Sequence, residues 1–252
     1  MEVLLIALLL PLFPMSMVVT TLFDRLTSAW ARVALLLLWP QAGLWALAQT
    51  DPVLPGWLLA WALASALLYA LRAVALREAG LWIAFMATSS WALLWLPALT
   101  AADAAPMDLL HWQALGLSAP PALLAMLNAA IASRFGAAYV GVSPPLAQCA
   151  PRLAGVLTVT LLAAVATPLF PGFFILFALV ADTAVAAPWA AAVVALVWLL
   201  WSWSGARLMQ GLVIGPVGAT PVNDLNVVST WIYGIMLVAL GAAGIVLAGA
   251  LL

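Results

Sequence analysis

Residues 153–187 read LAGVLTVTLLAAVATPLFPGFFILFALVADTAVAA, an almost unbroken apolar stretch with a single ionisable side chain. Proline lacks a backbone donor and glycine loosens the chain, so the stretch is predicted to form two helices separated by a break at 168–172. The residues that make this break are Pro168, Pro171 and Gly172. A break inside a membrane is tolerated only where protein or water satisfies the freed backbone groups. We therefore expect this region to pack inside protein rather than to face lipid.

The composition of the whole chain extends this interpretation. Of 252 residues, 68% are hydrophobic and 6% are charged, whereas an ordinary soluble domain is about half apolar and about a quarter charged. This balance predicts an all-α, polytopic transmembrane helix bundle. Seven arginines and no lysine exclude a nucleic-acid-binding face. One histidine, one cysteine and eight scattered acids offer no ligand set for zinc, haem or an iron–sulfur cluster, so no cofactor is predicted.

Apolar runs of about 17–25 residues mark the candidate membrane spans. We predict about eight or nine spans within a single transmembrane domain, 1–252. The nine candidates are 3–22, 32–48, 56–74, 80–99, 113–132, 153–170, 172–187, 189–208 and 228–252. The first run lacks a basic flank and a small-residue cleavage site, so it is interpreted as a retained span rather than a signal peptide. Six tryptophans near span ends are expected to anchor the interfaces: Trp30, Trp57, Trp95, Trp112, Trp189 and Trp231.

The arginines fall in alternate connections between the candidate spans. Connections one, three and five carry arginine, whereas connections two and four carry only acids or histidine. The positive-inside rule then places the N-terminus outside and the odd-numbered connections in the cytoplasm. Arg207 breaks this pattern, because nine spans would place it towards the outside.

Ionisable groups inside apolar spans are the default candidates for function. Asp182 is the only one near the interior of a run, and it is interpreted either as a helix-end residue near the headgroups or as part of a proton relay. His111, three residues after Asp108 in the fourth connection, is interpreted as a solvated loop residue or as a pH sensor. Cys149 has no neighbouring base, and Asn128 in an apolar run suits an interhelical hydrogen bond.

Several short motifs follow one another from residue 150 onwards. Thr167-Pro168-Leu169-Phe170-Pro171-Gly172-Phe173-Phe174 is followed by a segment containing Arg207, Gln210 and Gly215-Pro216, and then by Asp224-Leu225-Asn226. This order resembles the distal half of the antiporter-like membrane subunits of respiratory complex I. Their wider superfamily includes Mrp-type cation/proton antiporters, membrane-bound hydrogenases and the membrane partner of the DAB inorganic-carbon uptake system. The resemblance covers 150–252; the assignment of 1–150 is weak.

The resemblance implies which residues form the site, but this chain also differs from the pumping members of the family. It implies that Pro168, Pro171, Gly172 and Phe173 form a broken-helix motif, and it implies a candidate subunit-contact loop made of Arg207, Gln210, Gly215, Pro216 and Asp224. Taken as polar residues in apolar surroundings, Asp182, Thr167 and Asn128 are the candidates for an intramembrane polar or ion path. Pumping members place a lysine or glutamate four residues after the glycine of the break, where this chain has Leu176, and they carry about fourteen spans. With no lysine at all, this chain is expected to lack a proton wire of its own and to hold little more than the distal half.

Two functional hypotheses follow. The first is a non-catalytic, antiporter-like membrane subunit that scaffolds or extends a multi-subunit proton- or ion-coupled membrane complex. Its partners would be the lipid bilayer, other membrane subunits including a larger antiporter-like homologue, and a soluble catalytic subunit. The alternative is an independent transporter of a small substrate or ion that uses the broken helix and Asp182. An integral-membrane enzyme acting on lipid-like substrates is less well supported, because the sequence shows no acid–base or metal-binding cluster. The expected location is a bacterial inner membrane, crossed several times.

Overall fold

The computed structural model describes residues 2–50, 54–100, 106–141, 145–214 and 222–251. Within these ranges the secondary structure is helical, apart from one antiparallel bridge between Glu78 and Tyr139. The helices are α1 (Glu2–Leu9), α2 (Ser16–Arg25), α3 (Ala29–Thr50), α4 (Trp57–Ala75), α5 (Ala79–Leu93), α6 (Leu96–Thr100), α7 (Met107–Phe135), α8 (Leu146–Cys149), α9 (Pro151–Ala164), α10 (Pro171–Ala186), α11 (Pro188–Val213) and α12 (Val227–Leu251).

Six helical segments in the described ranges are long and apolar enough to cross a membrane. They are Ala29–Thr50, Trp57–Ala75, Ala79–Thr100, Met107–Phe135, Pro188–Val213 and Val227–Leu251, and α9 and α10 are shorter apolar helices. The segment Ala79–Thr100 lies at the centre, with 94% of its apolar window buried. This confirms the predicted all-α polytopic bundle: the chain is a multi-pass membrane protein.

The predicted first span, 3–22, is not one helix. Pro11 and Pro14 interrupt it, so that α1 ends at Leu9 and α2 begins at Ser16. Side chains from other helices satisfy the backbone groups that this joint frees, as a break at membrane depth requires. The Trp95 indole donates to the Leu10 carbonyl at 3.0 Å, the Trp61 indole donates to the Phe13 carbonyl at 2.6 Å, and the Phe13 amide donates to Ser65 Oγ at 3.0 Å.

Among the tryptophans expected at the interfaces, Trp95 is therefore an exception, because it is fully buried against this joint. The other five are exposed at or near helix ends.

Helices α9 and α10 together make one crossing. With 14 and 16 residues they are about 21 and 24 Å long, and each is too short for a hydrocarbon core of about 30 Å. Arg207, near the end of α11, donates to the Val74 carbonyl at the end of α4 at 2.7 Å. Helix α11 therefore starts at the opposite end of the bundle, where α10 stops. Two of the nine candidate spans, 153–170 and 172–187, are thus the two parts of one broken span, which agrees with the lower figure of the predicted eight or nine.

Counting α9 and α10 as one span removes the exception in the arginine pattern. Arg134 and Arg152 both bind the 223–225 segment, and Arg207 binds the end of α4 beside Arg72 and Arg77. Arg25 and Arg32 flank the turn between α2 and α3, and α2 runs beside α4 in the same direction. The seven arginines thus share one end of the bundle, which we call the arginine end. By the positive-inside rule, we predict that this end faces the cytoplasm.

Two connections are shorter than the sequence predicted. Asp108 and His111, expected in the fourth connection, lie in the first two turns of α7, because this helix begins at Met107 instead of 113. Arg207 and Gln210, expected in a contact loop, lie on α11, which continues to Val213 because the apolar residues Leu208 and Leu212 remain buried along one face.

Candidate functional site

The break between α9 and α10 is an ordered turn. Helix α9 ends at Ala164 and α10 begins at Pro171, and two non-glycine residues between them adopt positive φ: Ala166 at 58° and Leu169 at 95°. Both the amide and the hydroxyl of Thr167 donate to the Leu162 carbonyl, at 3.2 and 3.0 Å. Such backbone angles cost energy and persist only where the surroundings hold them.

Glycines on neighbouring helices approach the break closely. An added Cβ on Gly244 of α12 would lie 2.5 Å from the Leu169 carbonyl oxygen, and one on Gly116 of α7 would lie 2.9 Å from Pro171 Cβ. Small residues allow this kind of close helix contact in membranes. The break is therefore clamped from two sides by the rest of the bundle.

The clamp covers only part of the break. Phe170, Pro171 and Gly172 are buried, as expected for a break packed inside protein, whereas Pro168 and Leu169 are exposed on the outside of the bundle. Phe173 is half-buried, and its ring meets that of Trp198 edge-on with centroids 5.4 Å apart. The broken-helix motif thus combines a buried inner face with an exposed outer corner.

Beside the break, the interior holds a network of hydroxyl and indole groups. Trp201 Nε1 of α11 donates to Ser89 Oγ of α5 at 3.0 Å, and Ser89 Oγ donates in turn to the Ala66 carbonyl of α4 at 2.7 Å. Trp91 Nε1 donates to Ser118 Oγ of α7 at 2.9 Å. These bonds join four helices through neutral groups only.

Three buried polar atoms in the described part of the chain lack a hydrogen-bond partner: Trp82 Nε1, Gln113 Oε1 and Asn128 Oδ1. Asn128 lines a small apolar cavity of about 10 Å³, enclosed by α5, α7, α9 and α11, with Leu208 and Leu212 on its wall. A cavity of this size holds about one water molecule. The interhelical hydrogen bond expected for Asn128 is not formed through its carbonyl oxygen.

The described interior carries no charged side chain. The buried polar residues there are Ser16, Ser65, Thr88, Ser89, Ser90, Gln113, Ser118, Asn128, Thr160, Thr183 and Ser204. Leu176, the position at which the resemblance implies a lysine or glutamate in pumping members, is completely buried.

The three residues of the candidate polar path do not meet. Asp182 lies near the end of α10 and is exposed, Thr167 bonds back to its own helix at the break, and Asn128 lies towards the arginine end of α7. For Asp182, the helix-end interpretation fits this placement.

His111 pairs with a side chain of a neighbouring helix. Its Nδ1 pairs with Gln41 Oε1 of α3 at 2.5 Å, and Gln41 Nε2 donates to the His111 carbonyl at 3.1 Å.

Asp224 serves as a cap for another helix. Its carboxylate accepts hydrogen bonds from the amides of Arg152 and Leu153, at 2.8 and 3.0 Å, in the first turn of α9. Free amides at a helix N-terminus favour a carboxylate. Burial opposes ionisation, but donation from these two amides and from the Leu225 amide outweighs it and lowers the pKa of Asp224.

Asn226, the last residue of the Asp224-Leu225-Asn226 motif, caps α12 by accepting from the Ser229 amide at 2.6 Å. This motif therefore fixes the starts of two helices. Of the predicted contact loop, Arg207 and Gln210 are exposed on α11, and Gly215 and Pro216 lie outside the described residues.

Sequence reasoning missed the network around Ser89. The run Thr88-Ser89-Ser90 inside an otherwise apolar helix is the signal that could have indicated it. Its partner Trp201 lies 112 residues away, so spacing alone could not pair them.

No family model matches the chain, and no curated protein matches it either. Solved structures do. A chain of respiratory complex I from Thermus thermophilus superposes with a TM-score of 0.82 at 24% identity, over 95% of this chain and 52% of that chain. A chain of the Mrp complex from Dietzia sp. DQ12-45-1b gives a TM-score of 0.81 at 17% identity, over 95% and 54%.

A chain of the membrane-bound sulfane sulfur reductase, an archaeal respiratory membrane complex, gives a TM-score of 0.81 at 17% identity, over 94% and 50%. This chain is thus a helical, multi-pass membrane protein with the fold of an antiporter-like membrane subunit. It spans about half the length of the solved chains that it matches. The predicted resemblance is confirmed at the level of the fold, and the superposition covers 95% of this chain instead of 150–252 alone.

Proposed function

We propose that this chain is a non-catalytic, antiporter-like membrane subunit that scaffolds or extends a multi-subunit proton- or ion-coupled membrane complex. The observation that carries this proposal is the uncharged interior of the described residues, with Leu176 buried beside the break. A proton relay through a membrane needs groups that gain and lose charge near neutral pH. Hydroxyl and indole groups hold helices together but do not store protons.

The expected partners are other membrane subunits, among them a larger antiporter-like homologue, and a soluble catalytic subunit. The three solved chains described above belong to multi-subunit membrane complexes, which supports this expectation. The outer faces of α11 and α12 offer the contact surface, since Leu199, Trp203, Ile235 and Val238 are exposed there. A bacterial inner membrane is the expected location.

The test begins with purification of the tagged chain from its native membrane in mild detergent, followed by mass spectrometry of its partners. Recovery of a larger antiporter-like subunit supports the scaffold role. Reconstituted alone in liposomes, the chain should leave an imposed pH or sodium gradient unchanged.

Asp182 separates this role from the alternative of an independent transporter. For a scaffold, Asp182→Asn should leave the activity of the isolated complex unchanged, as should the control Asp108→Asn, another exposed acid near the same end of the bundle. Gradient dissipation by the chain alone that disappears in Asp182→Asn and persists in Asp108→Asn would establish the transporter instead.

A further inference from the structure

A groove runs along the outside of the bundle between α3, α7 and α12, with a volume of about 690 Å³. Its walls are apolar, and they include Leu37, Ala119, Met126, Met236 and Leu247. This volume lies within the range of about 300–1,000 Å³ that is usual for small-molecule pockets. Its floor reaches the clamped break, since Gly116 and Pro171 also line it.

The groove is long. Its lining residues on α12 extend from Ser229 to Leu247, a distance of about 27 Å along a helix, which nearly equals the hydrocarbon thickness of a bilayer. The half of this length that begins at Ser229 matches the hydrocarbon depth of one leaflet, about 15 Å.

One mouth of the groove is polar. Ser229 and Tyr233 line it near the start of α12, at the arginine end, and among the described residues neither hydroxyl has a hydrogen-bond partner. Arg134 is not part of the lining, but it lies about two turns beyond Met126 on α7, and its charge is close enough to act on the Tyr233 hydroxyl. Two hydroxyls therefore line the entrance to the apolar groove, and a guanidinium lies near it.

The charge of Arg134 is not balanced by a carboxylate within the described residues. Its guanidinium donates to the backbone carbonyls of Ala130, Asn223 and Asp224. The nearby carboxylate of Asp224 is engaged by the amides at the start of α9. A phosphate group at this mouth would gain a charge-assisted hydrogen bond from the guanidinium and would find two free hydroxyl donors.

We propose that this groove is a binding site for one phospholipid of the leaflet at the arginine end. Its acyl chains lie along the groove between α7 and α12, and its phosphate sits among Arg134, Ser229 and Tyr233. The site is independent of the scaffold role, because it depends only on the groove and the residues at its mouth.

The test uses the intact chain, purified in mild detergent and stripped of loosely held lipid. Phosphatidylglycerol is then titrated in, and bound lipid is counted by native mass spectrometry. One retained lipid per chain is expected. In Arg134→Gln the affinity should fall about tenfold or more, as expected for the loss of a charge-assisted hydrogen bond. The matched control Arg207→Gln, an exposed arginine at the same end, should bind as the wild type does.

Because Arg134 also holds the 223–225 segment, a groove-filling variant provides a second test. Ala239→Phe places a ring inside the groove about 15 Å from Ser229 and should abolish retention, whereas Ala206→Phe on the exposed face of α11 should not. Equal retention in Ala239→Phe and the wild type would overturn the proposal. A photo-crosslinking residue at position 239 should capture lipid in native membranes, and capture of a protein helix there would also overturn it.

Discussion

Gly244 of α12 packs directly on the carbonyl oxygen of Leu169, so closely that an added Cβ would lie only 2.5 Å from this oxygen. Leu169 is one of the two residues that hold positive φ in the break between α9 and α10. Helix α12 therefore holds the break in its strained form. This contact explains why α12 has a glycine at position 244, where it passes the break.

Gly244→Ala should destabilise the protein by about 1–3 kcal/mol, because the added methyl group overpacks a contact with backbone that cannot move aside. The control is Gly234→Ala on the same helix, where nothing lies within 4 Å of an added Cβ. That change should be neutral or slightly stabilising, since alanine favours helix. Thermal unfolding in detergent, followed by circular dichroism, compares the two. Equal melting temperatures would show that α12 does not clamp the break.

Ser89→Ala should destabilise the bundle by about 1–2 kcal/mol, because it leaves the Trp201 indole N–H buried without an acceptor. Replacing both partners, in Ser89→Ala with Trp201→Phe, should cost less than the sum of the single changes. The exposed Ser133→Ala serves as the control and should be within about 0.5 kcal/mol of the wild type. Strict additivity in the double-mutant cycle would argue against the hydrogen bond.

Asp224→Asn should weaken the cap on α9 and reduce stability at pH 7 by about 1 kcal/mol. The pKa of Asp224 is lowered in the folded protein from its usual 3.8, so its stabilising effect is complete above about pH 4. This effect is lost as the pH falls through the folded-state pKa, below 3.8. The difference in melting temperature between wild type and Asp224→Asn should therefore shrink in acid. A difference that stays constant down to pH 2 would exclude the carboxylate cap.

Leu176→Lys would place an ammonium group at a fully buried position without a charged partner among the described residues. It should cost several kcal/mol of stability or force the lysine to be neutral. Leu176→Met, which conserves volume, should cost less than about 1.5 kcal/mol. Proteoliposomes carrying the lysine variant should show no proton conductance above that of the methionine variant. Conductance gained by the lysine alone would mean that the surrounding interior retains a proton path.

The helical membrane class could be predicted from the sequence, because hydropathy and the scarcity of charge do not depend on which helices pack together. The break at 168–172 was predictable for a similar reason, since Pro168 and Pro171 act on their own backbone wherever they lie. The same rule applied to Pro11 and Pro14 would have indicated the joint between α1 and α2. It was overlooked because 3–22 is long enough, taken whole, to cross a membrane.

The candidate site could be predicted only in part. Asp182, Thr167 and Asn128 share apolar surroundings in the sequence, yet they lie at three different levels of the bundle. The Asp224-Leu225-Asn226 motif could be recognised, but its capping of α9 could not, because Arg152 lies 72 residues away. Hydrogen bonds of this kind depend on which helix ends meet.

The sequence by itself determined that this chain lies in a membrane as a helix bundle, that it breaks at 168–172 and that it carries no lysine. These properties follow from the residue types in each stretch of sequence and do not depend on which segments pack together. Only the tertiary structure decided that α9 and α10 make one crossing, that Gly244 clamps Leu169 and that the seven arginines share one end. Each of these depends on contacts between segments far apart in the chain, and helix packing fixes such contacts through shape and hydrogen bonding that no local pattern specifies.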